Sequence, residues 1–286
     1  MDAALYIRPM GLEDLDRAMA LKNAEGWNQT RKDWQFFLDQ NPALCQVAVV
    51  NGKTVGTVTA IAYQNRLAWI GMMLVDREHR RKGISRKLMH ELLNRLSGME
   101  TIKLDATPEG QLVYESMGFI KEYTLWRYVR NPGVSEQSGE IPADVFPLSR
   151  DELPLLTNLD AAVFGAKREH LLRYLLDEFP GGAWMRKQDR RINGMVICRH
   201  GSRYIQLGPL VAETDADAKC LVRTALRRFS DRPLVLDVAA DKNEFRRWLE
   251  AQGFEQRRPL IRMYYRRNTH AGVPDKYYLI AGPELG

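Results

Sequence analysis

The sequence predicts a mixed α/β (α+β) chain made of two tandem copies of one domain. Three observations carry that expectation. The 286 residues exceed what a single core usually organises. The stretch "NPGVSEQSGEIPAD", residues 131–144, is rich in Pro, Gly and Ser and poor in apolar residues, as a linker is. After it, the pattern of the first half starts again. "YIRPMGLEDLDRAMAL" returns as "VFPLSRDELPLLTNLD", "IKLDATP" as "LVLDVAA", and "ESMGFIKEYTLWRYVR" as "EAQGFEQRRPLIRMYYR". The Gly-Phe pairs at 118 and 253 stand 135 residues apart. A duplication therefore divides the chain into residues 1–130, a linker over 131–144, and residues 145–286.

Within the first copy each element has its own signal. "LYIRPM" reads as a short strand, and a helix follows from about Gly11, with Glu13 and Asp14 suited to its first turn. "TRKDWQFFLDQNP" places Trp34, Phe37 and Leu38 at three- and four-residue steps and stops at Asn41-Pro42, an amphipathic helix with a terminator. "CQVAVVNGKTVGTVTAIAY" is a hairpin turning at Asn51-Gly52. "RLAWIGMMLV" is a third strand, and "RKLMHELLNRL" a helix with Leu88, Leu92 and Leu96 on one side. "TIKLDA" is a strand and "GQLVYESM" a short helix, with Gly118 as its C-cap before the strand "FIKEYTLWRYV". The last stretch, "NTHAGVPDKYYLIAGPELG", has no counterpart in the first copy, and its apolar "YYLIAG" suits a docked segment.

Composition narrows the function classes. Hydrophobic content of 45% and charge of 27% are those of an ordinary soluble globular protein. A net charge of +6 favours anionic ligands, yet the 36 acidic residues spread along the chain argue against a polyanion partner. Cys45, Cys198 and Cys220 are an odd number without CxxC spacing, so neither a disulfide frame nor a metal site is expected, and a reducing cytoplasm fits. With no apolar run long enough for a membrane span and no basic leader before one, a membrane partner is not expected.

The chemistry concentrates in "VDREHRRKGISRKLM", where six Lys and Arg residues surround one glycine between a strand and a helix. Helix N-termini present unmatched N–H groups and partial positive charge, so this arrangement suits an anion. Gly83 lets the backbone approach phosphate oxygens, while Arg80, Arg81 and Lys82 add charge. No GxxxxGK[ST] or GxGxxG is present. A nucleic-acid surface would need aromatic platforms or a reading motif, and neither accompanies the cations.

"MLVDREHRRKGISRKLM" resembles the acyl-CoA-binding motif of the GNAT (GCN5-related N-acetyltransferase) superfamily, Arg/Gln-x-x-Gly-x-Gly/Ala after a strand, matched here by Arg80-Arg81-Lys82-Gly83-Ile84-Ser85. "LDATPEGQLVYESMGF" is similar to the family's next strand and helix, and the resemblance covers residues 1 to 130. It implies two GNAT-like units, each a mixed, mostly antiparallel sheet flanked by helices. The resemblance further implies that Met73, Leu74 and Val75 offer strand backbone to pantetheine. The amides of Arg81 through Arg86 would bind pyrophosphate, and Tyr114 would protonate the departing thiolate of acetyl-CoA. Trp27 and Asn28 fall in the region that lines the family's acceptor site. The strand "AWIGMM" carries no Glu or Asp where several relatives place a general base, so the base lies elsewhere, acting directly or through water, or the amine arrives neutral; Asp105 is one candidate, against a structural reading of equal weight.

In the second copy the matching loop reads "LVAETDADAKCLVRTAL", with Glu213, Asp215 and Asp217 in place of the cations and no glycine, so it would repel pyrophosphate. Trp248 stands nearest the place of Tyr114, and Asp237 matches Asp105. This degenerate copy is open to completing the first core, lining the acceptor pocket, or forming a homodimer. The expected activity is acetyl-CoA-dependent N-acetylation of a small-molecule primary amine in a ternary complex, without a metal. The alternative is a non-catalytic acyl-CoA-binding sensor or interaction module.

Overall fold

The computed structural model describes residues 5–133, 142–189 and 191–286; part of the expected linker, 134–141, lies outside the described residues. The first half runs β1 (Leu5–Pro9), α1 (Leu15–Ala24), α2 (Arg31–Gln40), β2 (Gln46–Val50), β3 (Lys53–Tyr63), β4 (Leu67–Val75), α3 (Ile84–Arg95), β5 (Thr101–Ala106), α4 (Pro108–Glu115) and β6 (Phe119–Arg130). The second runs β7 (Val145–Pro147), α5 (Leu153–Phe164), α6 (Glu169–Glu178), β8 (Ala183–Gln188), β9 (Arg191–Arg199), β10 (Ile205–Ala212), α7 (Asp215–Arg228), β11 (Leu234–Ala239), α8 (Asn243–Ala251) and β12 (Glu255–Tyr265), and the tail adds β13 (Tyr277–Leu279).

The local signals translate directly into caps and turns. Asn51 and Gly52 both take left-handed φ, +50° and +74°, as a two-residue hairpin turn requires. At α2, Thr30 Oγ1 accepts from the Asp33 amide while the Asp33 carboxylate accepts from the Thr30 amide at 2.6 Å, a reciprocal cap that satisfies two helix-end donors. Leu88 and Leu92 of α3, and Leu96 at its C-cap, are completely buried. The helix expected from Gly11 opens instead as a 3-10 turn, Leu12–Asp14, before α1. There Asp14 is pinned by the Arg8 guanidinium and by Thr54 Oγ1, both at 2.6 Å.

Among the described residues all thirteen strands join one sheet in the order β1-β2-β3-β4-β5-β12-β6-β11-β13-β10-β9-β8-β7. Only the β4–β5 and β10–β11 pairings in it are parallel. The two halves exchange their last long strands: β12 lies between β5 and β6, and β6 lies between β12 and β11. Strand pairing is therefore continuous across the duplication. On one face α1, α2, α5 and α6 share a single apolar cluster, and Phe36 stacks on Tyr174 with ring centroids 4.4 Å apart. On the other face α3 covers the first half and α7 with α8 the second. Among the described residues no helix is long and apolar enough to cross a membrane.

Two buried ion pairs mark the exchange. Asp105 on β5 stands opposite Arg262 on β12, and Asp237 on β11 stands opposite Arg127 on β6. Each guanidinium grips both carboxylate oxygens, at 2.9 and 2.9 Å for the first pair and 2.8 and 2.8 Å for the second. Arg127 and Arg262 are 135 residues apart, the offset of the Gly-Phe pairs. Each copy thus neutralises the other's aspartate.

Candidate active site

Strands β4 and β5 pair from Leu67 with Thr101 to Ile70 with Leu104 and then part. The cause lies in β4. Against β3, Gly71 faces Thr59 and Leu74 faces Thr57, so Met72 and Met73 stand against Val58 alone. This bulge puts Met72 at φ +51°, a region a bulky residue rarely enters, and Thr57 Oγ1 holds the Met72 carbonyl at 2.8 Å. The strands separate around a cavity of about 610 Å³. Met73, Leu74 and Val75 form one wall of it, and Leu104, Asp105, Ala106 and Thr107 face them.

The basic loop closes one end. Gly83 caps α3 in the left-handed region at φ +75°, and Arg81 precedes it at φ +62°, so the chain doubles back and turns the first helical amides outward. Those amides have no intrahelical acceptor. Buried Ile84 anchors the turn in the core, so of this residue only the backbone is available to a ligand. Arg80 reaches the cavity and is held by Glu25 at 2.6 Å and by the Val75 carbonyl at 3.2 Å. Arg81 and Lys82 are exposed and, among the described residues, have no ion-pair partner. Ser85 lines the cavity, while Arg86 donates to Ser116 Oγ at 3.0 Å and ties α3 to the end of α4.

Tyr114 lies in the cavity wall, on a helix started by Thr107, whose Oγ1 accepts from the Gly110 amide. Among the described residues its hydroxyl has no hydrogen-bond partner. Burial pushes the phenol up to about 12, so at neutral pH it is a proton donor.

Two expectations need correction. Asp105 does line the cavity, but both of its oxygens are taken by Arg262, whose third nitrogen donates to Tyr123 at 2.6 Å and whose plane lies over Trp69. Burial raises this carboxyl above its ordinary value against the pull of Arg262, but the ion pair leaves neither oxygen free for a substrate. Its counterpart Asp237 carries the same grip in the half without an open slot, which favours the structural reading of the pair. Asn28 is not in the cavity wall. Its amide oxygen accepts from the Arg203 and Tyr204 amides and its nitrogen donates to the Tyr204 carbonyl, pinning the β9–β10 turn against the first half. Its neighbour Trp27 does line the cavity.

Sequence reasoning missed Glu25, Gln29, Glu109, Arg127, Arg258 and the tail residues Pro283 and Glu284 as wall residues. Glu25 and Gln29 flank Trp27, and Arg127 and Arg258 reach the wall only through the strand exchange. The tail gave one signal, its apolar "YYLIAG". It leaves β13 and crosses to β4, where Trp69 Nε1 donates to the Pro283 carbonyl at 2.9 Å and Tyr63 Oη to the Leu285 carbonyl at 2.9 Å. The last carbonyl, that of Gly286, accepts from Arg168 and Tyr277 at 2.8 Å each. A Cβ on Gly71 would lie 2.7 Å from Glu284 Cβ, so β4 is bare where the tail seats.

The corresponding slot in the second half is closed. β10 and β11 pair only at Ile205 with Leu234 and Gln206 with Val235. Beyond that β13 fills the gap, pairing with β10 at Leu210 and Val211 and with β11 at Val238. The start of α7 is satisfied internally. Thr214 caps it, Asp217 takes Arg186, and Asp215 accepts from Tyr278 Oη at 2.7 Å.

Comparison with known proteins agrees with the duplication. Models of acetyltransferase (GNAT) domains match residues 16–125 and 156–278. The chain is 28% identical over 284 residues to the holothin acyltransferase of Pseudoalteromonas sp. (strain SANK 73390), covering 98% of this chain and 94% of that one. It is 24% identical over 281 residues to the uncharacterized N-acetyltransferase YitH of Bacillus subtilis (strain 168), covering 98% and 99%. A solved structure described as an acetyltransferase from Pyrococcus horikoshii shares the fold, with a TM-score of 0.81 at 22% identity, over 99% of this chain and 96% of that one.

Proposed function

The chain belongs to the GNAT acetyltransferase family as a tandem protein, and from that premise we propose that it transfers an acetyl group from acetyl-CoA to a small-molecule primary amine. The observation that carries this reading is the open β4–β5 slot with the cationic loop at one end and the unpartnered Tyr114 phenol in its wall. The amides of Arg81 to Arg86, with the unpaired Arg81 and Lys82, suit a pyrophosphate. The unpaired edge of β4 from Met73 to Val75 suits the amides of a pantetheine arm. Attack by an amine on the thioester carbonyl breaks the C–S bond, and Tyr114 supplies the proton that the leaving sulfur takes up. A full-length relative named as an acyltransferase supports acyl transfer. Enclosure of the acceptor end by Trp27 and the tail supports a small acceptor over a protein surface. Three buried, unbridged cysteines support a cytoplasmic location.

The test is a panel of primary amines screened for acetyl-CoA-dependent thiol release, with calorimetry of acetyl-CoA binding. Turnover that falls about 100-fold in Tyr114→Phe is the expected result. Failure of the wild-type protein to bind acetyl-CoA would sink this reading. Binding with no turnover across a wide panel would favour the sensor alternative, which the absence of a carboxylate on β4 keeps in play.

A further inference from the structure

We propose that Glu284, delivered by the C-terminal tail, is the group that binds the acceptor's ammonium and takes its proton; this rests on the acetyltransferase reading above. No acidic side chain lies on β4, and Asp105 is consumed by Arg262. The reaction still needs a proton acceptor, because a primary amine is an ammonium ion at neutral pH and has no lone pair with which to attack.

Glu284 lines the same cavity as Tyr114 and is only 2% exposed. Its Oε1 accepts from Arg199, while its Oε2 is buried with no hydrogen-bond partner among the described residues. A buried carboxylate oxygen left unpaired costs free energy unless something that visits the site pairs with it. Arg199 does not cancel its charge, because the same guanidinium also serves Asp33, at 2.6 Å. Two carboxylates share one cation there, leaving this cluster one negative charge in excess. Lys22, which also feels Asp33, donates to the Trp27 carbonyl and Ser202 Oγ instead. Arg127, whose charge also reaches Glu284, is held by Asp237.

A second buried acceptor belongs to a residue of the same wall. Gln29 Oε1 has no partner among the described residues and Gln29 is 6% exposed. An ammonium group carries three donors and no acceptor, which complements these two oxygens; Arg80, Arg127 and Arg258 of the same cavity limit the cation to the oxygens' side of it. Arg199 and Asp33 position Glu284, and Tyr174 Oη adds a donor to Asp33 at 3.0 Å.

Glu284 Oε2 takes one proton from R–NH3⁺, and the freed lone pair forms the C–N bond at the thioester carbonyl. The C–S bond breaks with its electron pair going to sulfur, which takes the phenolic proton of Tyr114. The proton then lost from the acylated nitrogen restores Tyr114, and Glu284 gives its own to solvent. One proton is released per amide formed.

The experiment compares wild type, Glu284→Gln, Glu284→Ala with and without added formate, and Gln29→Leu. The probes are acetyl-CoA alone, with water as acceptor, and the best amine of the panel. The glutamine variant keeps an oxygen for Arg199, so the tail stays seated, and a thermal melt checks this. The expected results are an unchanged acetyl-CoA Kd with kcat/KM down about 100-fold in Glu284→Gln, partial recovery of Glu284→Ala by formate, and a raised amine KM in Gln29→Leu. Turnover of Glu284→Gln within threefold of wild type overturns the assignment, as does joint loss of acetyl-CoA binding and turnover, which marks a mere tail anchor. Wild-type binding without thiol release to any amine or water overturns it too, while leaving the acetyl-CoA site standing. No binding by the wild type overturns the acetyltransferase reading, and this assignment with it.

Discussion

The slot between β4 and β5 and the slot between β10 and β11 are the same feature of a duplicated sheet, yet one is open and the other is filled. In each, a parallel pair of strands holds together for a few residues and then separates beside a register shift in the first strand. In the first half the separation leaves a cavity that reaches Arg80 and Ser85, and among the described residues the neighbouring Arg81 and Lys82 have no ion-pair partner. In the second half Tyr277 to Leu279 occupy it, and their hydrogen bonds satisfy both strand edges. The loop chemistry follows. Where no described residue fills the slot, the helix start is a glycine followed by amides without an intrahelical acceptor. Where the chain fills it, the helix start is capped by Thr214 and its acids are spent on Arg186 and Tyr278. A parallel pair that splays exposes two strand edges and must find a partner, either a ligand or the protein itself.

The sharpest way to break this comparison is to remove the plug. Deleting residues 277–286 exposes both edges of the second slot and strips out Tyr277, Tyr278, Leu279 and Ile280, all buried. At about 1.5–3 kcal/mol for each large apolar side chain, the loss rivals the whole stability of a domain. The expected outcome is loss of the cooperative thermal transition, and a truncated chain that melts like the full one would show the plug to be dispensable.

Next in size are the two exchanged ion pairs. Asp105→Asn and Asp237→Asn should each destabilise by about 3–5 kcal/mol, because each strands a buried guanidinium. Chemical denaturation reads this, and similar losses at both sites identify a structural pair. A catalytic Asp105 would instead give a variant that folds normally and does not turn over.

Smaller effects come from the loop. Arg81→Ala with Lys82→Ala should weaken acetyl-CoA binding about tenfold, less so at high salt, and leave the melting temperature unchanged. Asp215→Lys in the second half should create no acetyl-CoA binding, since the slot behind it is filled; calorimetry on both variants tests the contrast.

The smallest expected effect is on the pH profile. Burial disfavours the phenolate and pushes Tyr114 up to about 12. Its proton is present at any pH below that value and is lost as pH rises through it. The kcat profile should therefore show no alkaline fall from this group up to about pH 11, and a fall centred near pH 10 would mean that the phenol is hydrated.

The elements of the first half were legible because their signals are local. Asn51-Gly52 suits its hairpin whatever the neighbours, and Gly83 with its cations suits an anion whatever strand lies beside it. Asp105 stayed ambiguous between base and structural residue because a sequence shows a carboxylate at a strand end without showing Arg262, 157 residues away, on the strand beside it. Asn28 was misread for the same reason, its partners being the amides of Arg203 and Tyr204. Glu284 was invisible as a site residue, since "PELG" carries no motif.

By itself, then, the sequence determined the duplication, the order of strands and helices in each copy, and which copy carries the glycine and its cations. These rest on local periodicity, turn chemistry and charge. Tertiary structure alone decided that the copies exchange strands, that the tail plugs one slot, and that the same tail brings Glu284 to the other. Backbone hydrogen bonds are identical for every strand, so the pattern that makes a segment a strand does not say which strand it will lie beside.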